Sequence, residues 1–428
     1  MDIVKQYSAV LKNNLDNPLL AAKLIRFGLK VASRYVAVFP DRRLPRSLQY
    51  LNKLCIRYIS DAVVRPLNTV WVNLFAPTEF LHALGVTPLC IEAYASFMSG
   101  HYIEDRLIDK AEASVTSNTL CSFHKIFIGA AEYDLPKPPK IAITTSMACD
   151  ANLNTFRYLS DKFNIPLYTI DVPVECNEET INYVSRQLKE MITMLEDFCG
   201  QKLDLVRLKE IIDIENETRS CMRRILNLLG QKNLDSTMTF ELYMLLTSHV
   251  LMGRLDTLRF YQMYEDDLSK APERYKKGVF FIHLPPLYES NFKHYLNFNK
   301  NYGLLGCDLN YDFLEEIEDE DPYKGIAKKL ILNTYNGDFE RRLKVLARVI
   351  DKVKPDGIVQ FCHWGCKQSS GHVGLFRDYF KHRGIPFVSI DGDVVDKRNN
   401  QEGQLATRLE AFLEMLNNRG DGFGRLCV

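Results

Sequence analysis

From Thr69 onward, short runs of consecutive apolar residues alternate with longer stretches in which apolar residues recur every third or fourth position. The first kind of pattern predicts buried strands and the second predicts amphipathic helices. Thr69 to Phe75, Lys140 to Thr145 and Pro166 to Asp171 are read as strands. Pro77-Thr78-Glu79 opens a helix, with proline and an acid in its first turn, and Ala151 to Phe163 is a second helix. Strands return at Gly278 to His283, Tyr302 to Gly306, Asp356 to Phe361 and Ile385 to Ile390. Helices at Phe339 to Val353 and Gly371 to Arg383 separate them. Strands that alternate with helices predict parallel βαβ units.

Two stretches lack strand patterns. Residues 1–68 read as helical, interrupted at Pro40 and Pro45. Between 177 and 275 the segments Thr180 to Phe198, Leu205 to Leu229 and Asp235 to Gly253 read as helices, with Asn177 and Asp235 or Ser236 as caps. The expected division is a helical N-terminal segment (1–68), a first α/β lobe (69–176), a helical layer (177–275) and a second α/β lobe (276–428). Thr407 to Asn417 closes the chain as an amphipathic helix, and Gly420 to Gly424 reads as a frayed tail.

Charge narrows the functional classes. Lys and Arg total 54 and so do Asp and Glu, which argues against nucleic acid as a partner. Lys23, Arg26, Lys30 and Arg34 interrupt the apolar stretch Pro18 to Phe39, so it is read as amphipathic and not membrane-spanning. Met1-Asp2-Ile3-Val4-Lys5 lacks the basic-then-apolar order of a secretion signal, and a cytoplasmic location is expected. Neither a phosphate-binding Gly-x-x-x-x-Gly-Lys-Ser/Thr loop nor a Gly-x-Gly-x-x-Gly fingerprint occurs.

The eleven cysteines carry the chemical signal. Cys90, Cys121, Cys149, Cys307, Cys362 and Cys366 fall where strands end or helices begin. In parallel α/β sheets ligands gather beyond the carboxyl ends of strands. Two such edges facing each other bring thiols from both lobes into one cleft, and reduced thiolates there favour a soft metal. Cys55, Cys176, Cys199, Cys221 and Cys427 are read as small apolar residues. His363, Lys367 and Ser369 flank the Cys362–Cys366 pair as candidates for contact with sulfur or substrate. Glu79 and His82, one helical turn apart, read as a capping acid and a packed histidine. Glu315 to Asp321 reads as a solvated acidic loop.

These pieces, in order, resemble a known family. Phe75-Ala76-Pro77-Thr78-Glu79 with Ala83-Leu84-Gly85-Val86-Thr87-Pro88, then Leu120-Cys121-Ser122, Cys149-Asp150 and Ile170-Asp171-Val172-Pro173 are similar to 2-hydroxyacyl-CoA dehydratase and benzoyl-CoA reductase subunits. So are Phe361 to Lys367, Gly384-Ile385-Pro386, Ile390-Asp391-Gly392-Asp393 and Thr407 to Phe412. The resemblance covers about residues 69–417. It implies two Rossmann-like parallel-sheet lobes and an oxygen-sensitive iron–sulfur cluster between them. It also implies a separate ATP-hydrolysing iron–sulfur activator that delivers electrons.

In the dehydratases three cysteines hold a four-iron cluster, and the matching positions are Cys121, Cys149 and Cys366. The further Cys90, Cys307 and Cys362 resemble the double-cubane proteins of the superfamily, in which six thiolates bind an 8Fe-9S cluster. The leading expectation is therefore a homodimeric reductase of a small molecule, with all six cysteines as ligands. The alternative is a 2-hydroxyacyl-CoA dehydratase subunit with a 4Fe-4S cluster, acting on an acyl-CoA through a ketyl radical. A non-catalytic electron carrier is a third reading, and a zinc-stabilised structural protein a fourth.

Overall fold

The computed structural model describes residues 3–286 and 290–418, so Gly420–Gly424 and Cys427 lie outside the described residues. Eight strands form two parallel sheets of four. The first contains β1 (Thr69–Val72), β2 (Thr87–Cys90), β3 (Ala142–Thr145) and β4 (Leu167–Ile170), in the order β2-β1-β3-β4. The second contains β5 (Lys277–His283), β6 (Tyr302–Cys307), β7 (Gly357–His363) and β8 (Phe387–Gly392), in the order β6-β5-β7-β8. The two orders are the same relative to chain direction. Each lobe is a doubly wound unit whose strand order reverses beside its first strand, the place where such sheets bind ligands.

Among the described residues strand β2 is the strand that sequence patterning misses. It is four residues long and contains Pro88, which lacks a ladder donor. The strand tolerates proline because it lies at the edge of its sheet, paired only with β1 through Thr69↔Thr87 to Val72↔Cys90.

Trp71 on β1 is fully buried and organises the first lobe. Its indole meets Phe127 edge-to-face at 5.2 Å and Phe163 at 5.7 Å. Phe127 lies on the helix Ser122–Glu132 and Phe163 ends the helix Asp150–Phe163. One aromatic cluster thus fixes two helices whose first turns follow Cys121 and Cys149.

The N-terminal segment folds as helices Ile3–Lys12, Pro18–Val38 and Arg46–Val64. The middle layer contains Glu178–Cys199, Leu205–Leu229, Met238–Leu245 and Leu255–Lys270. Asn177 caps the first of these in a reciprocal box with Thr180. The expected helix from Asp235 to Gly253 begins later, at Met238, because the Asp235 carboxylate pairs with Lys276 at 2.5 Å. It then widens into a π-turn over Leu246–Val250. Among the described residues no helix is long and apolar enough to cross a membrane.

A buried charge group ties the layers together. Glu79, Glu215 and Lys329 come from three different helices, and Lys329 pairs with Glu79 and, at 3.3 Å, with Glu215. Arg219 pairs with Glu215 one turn along its helix. Glu79 is therefore an ion-pair partner and not a cap. His82 Nε2 donates to Val250 O at 2.9 Å, and burial pushes its pKa down to about 4, so it is a neutral packed ring. Removing Lys329 leaves two buried carboxylates short of a cation. Lys329→Met is expected to lower stability by about 3–5 kcal/mol. The check is a urea midpoint that falls at unchanged slope and is largely restored when Glu79→Gln is added.

Candidate metal centre

Four of the six singled-out cysteines share one cavity of about 460 Å³. Cys90, Cys121 and Cys149 enter from the first lobe and Cys366 from the second. Each occupies the position just before a helix: Cys90 before Ile91–Gly100, Cys121 before Ser122–Glu132, Cys149 before Asp150–Phe163 and Cys366 before Lys367–Ser370. Free N–H groups at helix starts stabilise sulfur charge. The N–H of Phe123 acts in this way on Cys121, and those of Asn152 and Ala151 on Cys149.

Burial works against those N–H groups and is the larger effect. It pushes Cys149 up to about 11 and Cys121 well above the usual thiol range. The Cys121 thiol also feels Cys366 and Cys149 directly, and Cys149 feels Cys366. These three sulfurs therefore form one electrostatic group. Cys121 and Cys149 remain protonated unless a cation offsets the charge of the thiolates.

Histidines hold two of the three. His363 Nε2 lies 3.3 Å from Cys121 Sγ. The Val394 N–H donates to His363 Nδ1 at 3.1 Å, which leaves the proton on Nε2 and makes this nitrogen the donor to sulfur. His283 Nε2 lies 3.7 Å from Cys366 Sγ. His283 ends β5 with φ +70°, a left-handed backbone that a non-glycine residue adopts at a cost. Its N–H is held by Asp308 at 2.5 Å, and Asp308 is in turn fixed by Arg342 at 2.8 Å. Sequence reading passes over His283, although its place at the carboxyl end of the first strand of a doubly wound unit is a usable signal.

Glu92 is a second residue that sequence reading misses. It lines the cavity in the first turn after Cys90 and accepts a hydrogen bond from the Cys90 thiol at 3.2 Å. Burial raises its carboxyl above the usual range.

The other expected site residues lie elsewhere. Among the described residues that line the cavity, neither Cys307 nor Cys362 is present. Cys307 is fully buried beneath Asn310, whose amide donates to its sulfur at 3.4 Å. Cys362 alternates with His363 along β7 and so points to the opposite face of the sheet. There Asp391 opposes it in register, and burial together with that carboxylate pushes the thiol up to about 12. Ser369 is buried but bonds backbone: it accepts from His363 N–H at 2.9 Å and donates to Cys366 O at 2.9 Å. It shapes the Cys366 turn without reaching the cavity. Lys367 is exposed and does not line the cavity. Of the cysteines read as apolar filler, Cys221 is buried, Cys199 half-buried and Cys176 exposed. Cys55 is buried and lines the same cavity as the four thiols.

Whether this donor set suits an iron–sulfur cluster is decided by its chemistry. Among the described residues no three His, Cys, Asp or Glu side chains converge on a single ion. A cubane places each thiolate on a different iron, so its ligands ring a volume and do not share a point. Three mutually interacting thiols at helix starts around a roomy cavity, with imidazoles beside the sulfurs, fit such a group.

Comparison with known proteins agrees with this arrangement. Residues 73–416 match the model of the 2-hydroxyglutaryl-CoA dehydratase D-component family. The chain is 23% identical over 395 residues to lactoyl-CoA dehydratase subunit alpha of Anaerotignum propionicum, covering 83% of this chain and 92% of that protein. It is 24% identical over 370 residues to the (R)-phenyllactyl-CoA dehydratase alpha subunit of Clostridium sporogenes, covering 81% and 89%. One polypeptide of the benzoyl-CoA reductase of Thauera aromatica is 21% identical over 352 residues, covering 74% and 81%. With its two like-wound lobes and a cysteine-lined cavity between them, the chain belongs to the 2-hydroxyglutaryl-CoA dehydratase D-component family, within the superfamily of acyl-CoA dehydratases and benzoyl-CoA reductases.

Proposed function

We propose that this chain is the cluster-carrying subunit of a 2-hydroxyacyl-CoA dehydratase, with one 4Fe-4S cluster held by Cys121, Cys149 and Cys366. The observation that carries the reading is the separation of the six cysteines. These three line one cavity and interact, Cys90 lines it too but gives its thiol to Glu92, and Cys307 and Cys362 lie outside its described lining. A double cubane needs six thiolates around a common centre, and that placement does not favour it. The relatives with the broadest overlap are dehydratase alpha subunits, which also supports the choice.

A bound cluster with one iron open would act as a Lewis acid on a thioester carbonyl and pass on single low-potential electrons. The chain's own residues prepare that position. The His363 Nε2–H donates to Cys121 and steadies its charge. Glu92 presents a half-buried carboxyl beside the thiols, where a proton can be held or taken up close to substrate. Phe123, Leu74, Phe75 and Leu309 line the cavity and exclude water. A separate ATP-hydrolysing activator would supply the electron, and a companion subunit would complete the enzyme.

Metal analysis of protein purified without oxygen tests the assignment. About four iron and four sulfide per chain are expected. About eight iron and nine sulfide would return the double cubane, and zinc or no metal would overturn both.

A further inference from the structure

The cavity extends well beyond the cysteines. Its lining continues through Cys55, Ile56 and Ile59 of the N-terminal segment, Phe97, and Leu242 and Leu246 of the helical layer. Among the described lining residues none is lysine or arginine. His101 also lies on this side of the cavity, and its Nδ1 is 2.8 Å from Phe97 O. Burial lowers it below the ordinary histidine range, which makes it a poor partner for an anion. A carboxylate placed among these side chains would lose its hydration without gaining a cation. An alkyl or aryl group there loses only its contact with water.

We propose that the part of the cavity between the N-terminal helices and the helical layer receives the side chain of the acyl group, and that it selects an apolar side chain of isobutyl to benzyl size against a methyl group or a second carboxylate. This rests on the dehydratase reading and deepens it. It assigns the N-terminal segment a role in specificity, since Cys55, Ile56 and Ile59 come from the helix Arg46–Val64. Leu246, at the first residue of the π-turn, lines the same cavity. Each methylene seated in such a pocket is worth roughly fourfold in affinity.

Binding without turnover tests this. Cluster-loaded protein, in the complex it forms and without activator, is titrated calorimetrically with propionyl-CoA, 4-methylpentanoyl-CoA, 3-phenylpropionyl-CoA and glutaryl-CoA. The 4-methylpentanoyl and phenylpropionyl esters should bind roughly thirtyfold or more tightly than propionyl-CoA. Glutaryl-CoA should bind roughly a hundredfold more weakly than 4-methylpentanoyl-CoA. Leu246→Trp should bring the long esters down to the propionyl level and leave propionyl-CoA unchanged. Affinity that is independent of chain length, or glutaryl-CoA as the tightest ligand, overturns the proposal.

A neutral probe without CoA, 3-phenylpropanamide, separates this inference from the reading beneath it. Binding of the amide to the parent protein and not to Leu246→Trp supports the apolar subsite. If the amide behaves so while no CoA ester binds, the dehydratase reading fails and the subsite stands. If the esters bind but neither the amide nor chain length has any effect, the subsite fails and the dehydratase reading stands.

Discussion

Cys366→Ser is expected to lose iron and dehydratase activity together, whereas Cys307→Ser and Cys362→Ser retain both. Serine is the harsher change at position 366 because its oxygen is a hard donor with a far less accessible anion, while iron and sulfide favour soft thiolates. Loss of a ligand exceeds the tenfold to hundredfold losses typical of outer-sphere changes, so activity should fall below about one-hundredth of the parent value. The control at position 362 is close in sequence and opposite in effect. The two cysteines are four positions apart, yet Cys362 sits on the far face of β7 against Asp391. Cys307→Ser buries a hydroxyl beside Asn310 Nδ2, which already donates to this position at 3.4 Å, so its cost is about 1–2 kcal/mol of stability and no iron. Iron per chain, sulfide per chain and dehydration rate with activator are read for all three variants. Full iron in Cys366→Ser would remove that residue from the ligand set. Loss of half the iron in Cys307→Ser or Cys362→Ser would reinstate a larger cluster.

The contrast between Cys362 and Cys366 shows what patterning resolves and what it does not. The α/β alternation is written in runs such as Gly357 to Phe361, since a strand buried on both faces needs consecutive apolar residues. The helix Leu205–Leu229 is legible to its ends because Asp204 caps its first turn, accepting from the N–H of Val206 and Arg207. Cysteine position at element ends is legible for the same reason. Direction is not. Whether a thiol at the end of a strand turns into a cleft or away from it depends on strand alternation and on where the helix begins, and both vary by one residue. Cys362 is still within the strand and Cys366 lies after the turn. His283 escapes notice because its partner Cys366, in another element, meets it only in three dimensions, and Glu92 because a first-turn acid is an ordinary helix feature. Strand β2 escapes because a proline in a short run suppresses a strand reading unless the edge position is already known.

Gly365→Ala is expected to separate the lobes at the proposed metal centre. Gly365 has φ +74°, and a methyl group built there would lie 2.6 Å from Cys121 N and 2.8 Å from Cys121 Cα. The obstruction is backbone, so no side-chain rotation relieves it. The left-handed conformation costs an alanine about 1–2 kcal/mol. Overpacking adds about 1–3 kcal/mol. The strain falls on the segment that sets Cys121 against Cys366, so the spacing between two ligands is disturbed along with stability. Gly384→Ala supplies the comparison: its φ is +65°, but nothing lies within 4 Å of the added methyl. That variant bears the conformational cost alone. Both substitutions should lower the denaturant midpoint, the first by clearly more, and only Gly365→Ala should lower iron per chain. Equal iron in the two variants would mean that the approach of residue 365 to Cys121 governs stability but not the metal centre. Iron loss confined to Gly365→Ala would tie the geometry of the proposed metal centre to the place where Gly365 rests on the backbone of Cys121.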